Sequence, residues 1–418
     1  MMKKGTKLNF DPKNINALGV YLGDRRIGVI NRLAGDRHIF SFEQDYIDDP
    51  NRPTLSLSFK GQTGDLVTSI RPVSKRLPPF FSNLLPEGHL RTYLAKHVGV
   101  NDEREFLLLA VLGTDLPGAV TVRPFETELP KDTGEKADSP NHEDEPILRF
   151  SLAGVQLKFS AIMTAVGGLT IPAGGSGGSW IVKLPSMHFP SVPENEYAMM
   201  RLAESVGINI PEIQLVSLKD IQGLPKDARS LKGKALAVKR FDRSDNNSKI
   251  HMEDFAQVFG VFPSAKYKEA SYANIATVLQ AETEEESVNE FIRRLAFTVM
   301  IGNADMHLKN WSLLYPNKRT PALSPAYDFV STIPFLPDDG LALTFGQSRS
   351  LSRITKDQVR RFADKAGLAM SPTWTTVKET SEKTRESWTS LEEKVLLPNE
   401  IRQAIETQIR SVVISDEK

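Results

Sequence analysis

The chain contains no cysteine, which excludes disulfides, thiolate nucleophiles and thiolate-held zinc together and is the usage expected of a reducing compartment. Its seven histidines are scattered and form no pair at metal-ligand spacing. An excess of charge is also missing. Lys plus Arg and Asp plus Glu stand at 52 each, so no global basic field draws the protein onto nucleic acid nonspecifically. No apolar run reaches the length of about 18 residues that a membrane helix needs, and the stretch from Met1 to Pro12 lacks the apolar core of a signal peptide. A cytoplasmic protein with no membrane association is the expectation. Neither Gly-x-Gly-x-x-Gly nor Gly-x-x-x-x-Gly-Lys-Ser/Thr occurs, so two familiar glycine-rich phosphate cradles are absent.

What is present is an ordinary globular balance, 40% apolar and 25% charged over 418 residues, enough for two or three packed units. The most informative stretch is Gly302-Asn303-Ala304-Asp305-Met306-His307-Leu308-Lys309-Asn310, which follows a strongly helical run. Its order Asp-x-x-x-x-Asn is the spacing of a protein-kinase catalytic loop. In such a loop the Asp accepts or orients the proton of the acceptor hydroxyl, and the Asn holds a metal ion bridging the nucleotide phosphates. A pair at this spacing arises by chance about once in a chain of this length, so its meaning depends on partners. Downstream, Asp328-Phe329-Val330 stands where a kinase carries its second metal-binding Asp. One carboxylate, one carboxamide and the phosphates suffice for Mg2+, which prefers oxygen and keeps several waters.

Taken in order, residues 17–70 read as short strands and turns, including an alternating Leu55-Ser56-Leu57-Ser58-Phe59. The aromatic and proline-rich segment Leu77 to Gly88 is either a binding loop or, the plainer reading, an apolar pad under a helix from Glu87 to Val100. Residues 126–147 are acidic, polar and poor in large apolar groups, and read as a linker. Apolar β pattern resumes at Ile147, and a glycine-rich piece from Gly167 to Ser179 connects strands. Ser151, Ala153 and Gly154 form a small-residue turn whose backbone could approach phosphate, with Lys158 adding a point charge; a plain strand-turn-strand fits equally well.

Lys183 is the lone cation in the apolar strand Trp180 to Leu184, where an unpaired ammonium is costly. It is either a phosphate contact or a snorkelling edge residue. The helical pattern 194–206 carries Glu194 and Glu196, either of which could pair with Lys183. Exposed first-turn carboxylates serving the helix dipole are the plainer reading. Ala235 to Arg243 reads as a buried strand running into a polar edge, in the order of a nucleotide hinge. The pattern 288–300 has Ile292, Leu295, Ala296 and Val299 on one face and ends at Gly302. His307 and Lys309 fit a solvated loop, although Lys309 could also neutralise a transferring phosphoryl. Beyond 355 the chain is helical, with stripes through Val359, Phe362 and Ala363 and through Ile401, Ile405 and Ile409.

The assembled set Leu84-Leu85-Pro86-Glu87-Gly88, Ser151-x-Ala153-Gly154-x-Gln156-x-Lys158, Ile181-Val182-Lys183-Leu184-Pro185, Gly302-Asn303-x-Asp305-x-His307-x-Lys309-Asn310 and Tyr327-Asp328 resembles the HipA family of serine/threonine kinases, toxins of bacterial type II toxin–antitoxin pairs. The resemblance implies an α/β (α+β) fold with a protein-kinase-like two-lobed core, a small β-containing amino-terminal subdomain and a helical carboxy-terminal lobe. The expected division is 1–125, a linker 126–147, a nucleotide-binding lobe 148–243 and a catalytic lobe 244–418. It further implies ATP with Mg2+, a glutamyl-tRNA synthetase or related translation protein as target, a HipB-like helix-turn-helix antitoxin, and operator DNA reached through that complex. By position, Ser151 matches the family's autophosphorylated serine. Ala153, Gly154, Val155, Gln156, Leu157, Lys158 and Lys183 match its phosphate contacts, and Lys239, Arg240 and Phe241 its hinge. Asp305 matches the catalytic Asp, His307, Lys309 and Asn310 further nucleotide contacts, and Tyr327 with Asp328 the metal-site pair, the cation falling to Asn310 and Asp328. A small-molecule kinase and a catalytically silent co-repressor scaffold stay open as alternatives.

Overall fold

A computed structural model of the protein describes residues 15–97, 99–125, 158–163, 169–172, 177–186, 188–224, 228 and 231–416. Its amino-terminal part is a five-stranded sheet of β1 (Ala17–Leu22), β2 (Arg25–Leu33), β3 (Arg37–Phe42), β4 (Val73–Ser74) and β5 (Val120–Pro124), in the order β4-β3-β2-β1-β5. A tight turn at Gly23, with φ +63°, joins β1 to β2. Alternation along β1 sends Leu18, Val20 and Leu22 into the core. The helix Glu105–Leu112 is apolar all round and buried at every position, as a helix covered on all sides must be. Its one charged residue, Glu105, accepts hydrogen bonds from the Leu77 amide at 2.8 Å and the Ser82 hydroxyl at 3.0 Å. Phe80, Phe81, Leu84 and Leu85 are buried, so the proline-rich segment is the apolar pad of the plainer reading.

The alternation at Leu55–Phe59 does not form the expected strand. Leu57–Phe59 is a 3-10 turn because the Ser56 hydroxyl accepts from the Ser58 amide at 3.1 Å and donates to Glu253 at 2.5 Å, a local side-chain bond that competes with a ladder.

The second sheet has six strands, β6 (Lys158–Met163), β7 (Leu169–Thr170), β8 (Trp180–Lys183), β9 (Ile213–Ser217), β10 (Ile221–Gln222) and β11 (Lys234–Lys239), ordered β10-β7-β6-β8-β11-β9. Its buried Phe159, Ala161, Val182 and Ala237 share one continuous core with Leu18, Val20, Phe81 and Leu109 of the amino-terminal unit. The helix Val192–Ser205 packs on β11 and stops at Gly207, whose φ is +90°.

A second core is helical. It gathers Tyr272–Glu282, Glu285–Met300, Lys356–Ala366, Met370–Ser390 and Asn399–Ser411 around Phe291, Leu295, Trp311, Phe362 and Ile405. Capping boxes at Ser271 with Asn274 and at Thr355 with Gln358 start the first and third of these helices. The small sheet β12 (His251–Asp254), β13 (Ser312–Tyr315) and β14 (Ala322–Leu323) lies beside the loop 303–311. The architecture is the expected two-lobed α/β arrangement, and residues of both cores line one large cavity.

Candidate active site

The helix Glu285–Met300 buries Phe291, Ile292, Leu295 and Val299, and Gly302 breaks it with φ +64°. A Cβ on Gly302 would stand 2.3 Å from Ile333 Cγ1, so both the backbone angle and the space demand glycine there. The loop that follows is braced by its own side chains. Asn303 Oδ1 accepts from the Asp305 amide at 2.9 Å, while its Nδ2 donates to the Asp328 carbonyl at 3.2 Å. Asn310 Nδ2 donates to the Asp305 carbonyl at 2.8 Å, and the Tyr267 hydroxyl donates to Asp305 Oδ1 at 2.5 Å. Burial raises the Asp305 carboxyl above the usual carboxylate range despite the Tyr267 hydrogen bond.

Lys183, the last residue of β8, is 4% exposed and pairs with both Glu196 and Asp328. The reading of this lysine as a snorkelling edge residue and the plainer reading of Glu196 are therefore corrected. Glu196 is not an exposed first-turn carboxylate but a buried one, 2% exposed, because its helix lies against the sheet that carries Lys183. Lys158 Nζ approaches Asp328 Oδ2 at 3.7 Å. Burial works to raise the Asp328 carboxyl, but Lys158 and Lys183 outweigh it and hold it well below its ordinary value. In the same way, the two carboxylates outweigh burial and raise the Lys183 ammonium. Asp328 itself adopts φ +57°, a left-handed backbone of the kind that strained functional residues adopt.

Lys158, Lys183, Lys239, Arg240, Phe241, Asp305, His307, Lys309, Asn310, Tyr327 and Asp328 all line one cavity of about 960 Å³, the size of a small-molecule site. Ser151 and the run Ala153, Gly154, Val155, Gln156 and Leu157 lie outside the described residues. Arg240 and Lys309 line this cavity too, with their side chains committed to partners within the protein. The Arg240 guanidinium is wholly buried and used by Asp242, at 2.8 and 2.9 Å, and by Asp115 at 3.2 Å; none of it is left for a ligand. It knits the hinge to the amino-terminal unit, since Asp115 also binds Arg243 at 3.1 Å and Asp242 accepts from the Gly118 amide at 2.8 Å. Lys309 faces Glu87 at 3.1 Å and donates to the Asn83 carbonyl at 2.8 Å, so its charge is already matched and does not stand free for a phosphoryl group.

Tyr327 donates to the Lys309 carbonyl at 2.9 Å and its ring lies 5.6 Å from that of Phe241. Lys239 is partly exposed near Glu212 and Asp245. Burial brings the His307 imidazole down to about 3, so it is neutral. Three residues that the sequence did not single out for a role, Glu87, Lys266 and Tyr267, also line the cavity. The one available signal was a carboxylate in the otherwise apolar, proline-rich segment before Gly88.

The donor chemistry suits a hard cation. Asn310 spends an amide hydrogen on the Asp305 carbonyl, which leaves its oxygen as an acceptor, and it lines the same cavity as the Asp328 carboxylate. No cluster of three or more His, Cys, Asp or Glu is arranged to hold a metal among the described residues. The pair therefore fits an ion that takes its remaining ligands from phosphate and water.

Family models agree with this architecture over most of the chain. The HipA N-terminal domain matches residues 18–123 and the HipA-like C-terminal domain matches residues 150–391. The chain belongs to the HipA family of kinases. A relative from Sinorhizobium fredii, named "Putative kinase Y4dM", is 49% identical over 408 residues, which cover 95% of this chain and 97% of the relative. The serine/threonine-protein kinase toxin HipA of Shewanella oneidensis is 26% identical over 396 residues, covering 84% of this chain and 83% of that one. The solved complex of Shewanella oneidensis HipA with HipB and its operator DNA aligns with a TM-score of 0.70 at 22% identity, over 94% of this chain and 96% of that chain. That likeness shows that this HipA-family member has the same fold. No helix among its described residues is long and apolar enough to cross a membrane.

Proposed function

We propose that this HipA-family chain is a toxin kinase that transfers the γ-phosphoryl of ATP, with Mg2+, to a serine or threonine hydroxyl of a translation protein, an aminoacyl-tRNA synthetase such as the glutamyl enzyme. The observation that carries the reading is that Lys183, Glu196, Asp305, Asn310 and Asp328 line one cavity. Glu196 fixes the Lys183 ammonium, which is then oriented toward phosphate oxygens. Asn310 and Asp328 would hold Mg2+, which when bound offsets the negative charge of the phosphates. Asp305 takes the proton of the acceptor hydroxyl as its oxygen bonds to the γ-phosphorus and the bond to the ADP oxygen breaks. Its raised proton affinity suits a base.

Ser151 is the proposed site of self-inactivation. By family resemblance this serine belongs to a phosphate-binding loop, where a phosphate adding roughly −1.5 to −2 charge would repel ATP. A HipB-like antitoxin that carries the pair to operator DNA, co-repressing the operon, is supported by the assembly in which the Shewanella oneidensis relative was solved.

The test is transfer of label from γ-labelled ATP in a cell extract by wild type and by Asp305→Asn. Label on a protein band with wild type alone is the expected result. Label on a small molecule would instead make the chain a metabolite kinase, and no transfer at all would make it a silent scaffold.

A further inference from the structure

We propose that Glu87 is a positioning residue for the catalytic loop, so that the amino-terminal unit completes the active site; this rests on the kinase reading. Glu87 sits at the end of the apolar pad Phe80–Leu85 and reaches two buried lysines at once. Its Oε2 lies 2.9 Å from Lys266 Nζ and its Oε1 lies 3.1 Å from Lys309 Nζ. Lys309 lies in the loop that carries Asp305, and Lys266 touches that loop through its backbone.

Lys309 is the neighbour of Asn310, and its ammonium is further held by the Asn83 carbonyl at 2.8 Å and side-chain oxygen at 3.2 Å. Lys266 accepts the Leu308 amide on its carbonyl at 3.3 Å. It also precedes Tyr267, whose hydroxyl binds Asp305 Oδ1 at 2.5 Å and whose ring meets the edge of His307 at 4.9 Å. One carboxylate therefore fixes the loop from both flanks, the base through Lys266 and Tyr267, and the carboxamide through Lys309.

Geometry and charge agree. The side chains of Lys266 and Lys309 are 9% and 4% exposed. Among the described residues Glu87 is the carboxylate paired with Lys266, and the other acid near Lys309 is Asp254 at 3.7 Å. Burial acts to raise the Glu87 carboxyl, but Lys309 and Lys266 outweigh it and bring it down to about 2, so Glu87 is a carboxylate throughout the neutral range. Removing Glu87 leaves buried ammonium groups short of a partner, and they relax by moving the segments they belong to. Displacement of a reacting group by about 1 Å is enough to cost about a hundredfold in rate.

The experiment compares full-length wild type, Glu87→Gln and Glu87→Asp in phosphoryl transfer from ATP, in ATP affinity and in amide hydrogen exchange across residues 303–311. For Glu87→Gln the expected result is a kcat lower by about tenfold to a hundredfold, ATP affinity within about twofold of wild type, and faster exchange confined to that loop. Glu87→Asp, which keeps the charge on a shorter arm, is expected to lose less. If the Gln variant does not fold, the Asp variant carries the test. Wild-type kcat with unchanged exchange overturns the proposal, as does joint loss of kcat, ATP affinity and protection over the whole chain, which would mark Glu87 as structural only. If wild type itself transfers no phosphoryl group, the kinase reading fails separately. Exchange then decides alone: selective loosening of 303–311 supports the clamp, and no change overturns it.

Discussion

Lys183 and Asp328 are in direct ion-pair contact although 145 residues separate them along the chain. The same ammonium serves Glu196, so a single substitution strands that buried carboxylate and leaves Asp328 with Lys158 alone, at 3.7 Å. Lys183→Met should lower stability by about 3–5 kcal/mol, the cost of breaking a buried pair from one side, and should abolish ATP binding. Adding Glu196→Leu removes the stranded charge and should restore much of the stability without restoring ATP binding. Thermal denaturation with ATP titration checks both. A Lys183→Met protein as stable as wild type would show that the pairing does not hold the lobes.

Burial raises the Asp305 carboxyl, while the Tyr267 hydroxyl works to lower it. A base must be unprotonated, so transfer is lost as pH falls through the Asp305 pKa, and the acid limb of the rate profile should lie above the usual carboxylate range. Tyr267→Phe removes the lowering contact and should move that limb to higher pH. Because His307 is held down to about 3, chiefly by burial, no limb belonging to an ordinary imidazole should appear. Asp305→Asn should cost about 10²–10⁴ in kcat. The profile of kcat against pH for the three proteins measures this, and an unshifted limb in Tyr267→Phe would remove Asp305 from the role of base.

Glu253 gives a pH dependence of stability rather than of activity. It is fully buried and accepts from Ser56 Oγ at 2.5 Å, the Leu57 amide at 3.0 Å and the Tyr315 hydroxyl at 2.5 Å. Burial outweighs these donors and raises its pKa from 4.5 to about 7. An acid whose folded pKa is raised favours the fold while protonated, and that advantage is lost as pH climbs from the unfolded value through the folded one. The loss corresponds to about 3 kcal/mol between pH 4.5 and 7. Asp328, whose pKa is depressed, acts the other way, and its contribution disappears on acidification. Glu253→Gln should therefore flatten the decline seen in wild type between pH 5 and 8. Denaturant titrations at the two pH values test this, and parallel declines in both proteins would contradict it.

Much of this site was legible because its signals were local. A lysine interrupting the apolar strand Trp180–Lys183 and a helix broken at Gly302 before Asp305 are patterns within a few neighbours, and Lys183 and Asp305 line one cavity. What escaped depended on distant partners. Glu196 read as an exposed helix-start residue because nothing in its own turn shows that β8 lies against it. Arg240 read as part of a hinge, and nothing near it in sequence shows that its guanidinium is used by Asp115, 125 residues away. Lys309 read as free because its partner Glu87 comes from the amino-terminal unit. The alternation at Leu55–Phe59 is a true period-2 pattern, overridden by the bonds of Ser56 to Ser58 and Glu253.

Gly302 offers the most direct test of how the loop is set. Its φ of +64° is costly for any residue with a side chain, and a Cβ would meet Ile333 Cγ1 at 2.3 Å and Gln408 Cγ at 3.0 Å. Its carbonyl accepts both the Thr332 amide at 3.0 Å and the Thr332 hydroxyl at 3.1 Å, and that hydroxyl in turn accepts the Ala304 amide at 2.9 Å. Any shift at Gly302 is therefore passed to the residue before Asp305. Gly302→Ala combines left-handed strain with overpacking and should cost about 2 kcal/mol or more, with a fall in kcat larger than the loss of ATP affinity. Adding Ile333→Ala removes the clashing atom but not the backbone strain, so it should recover part of the stability and part of the rate. If the second substitution recovers nothing, contact with Ile333 is not what fixes glycine at this position, and backbone strain alone accounts for it.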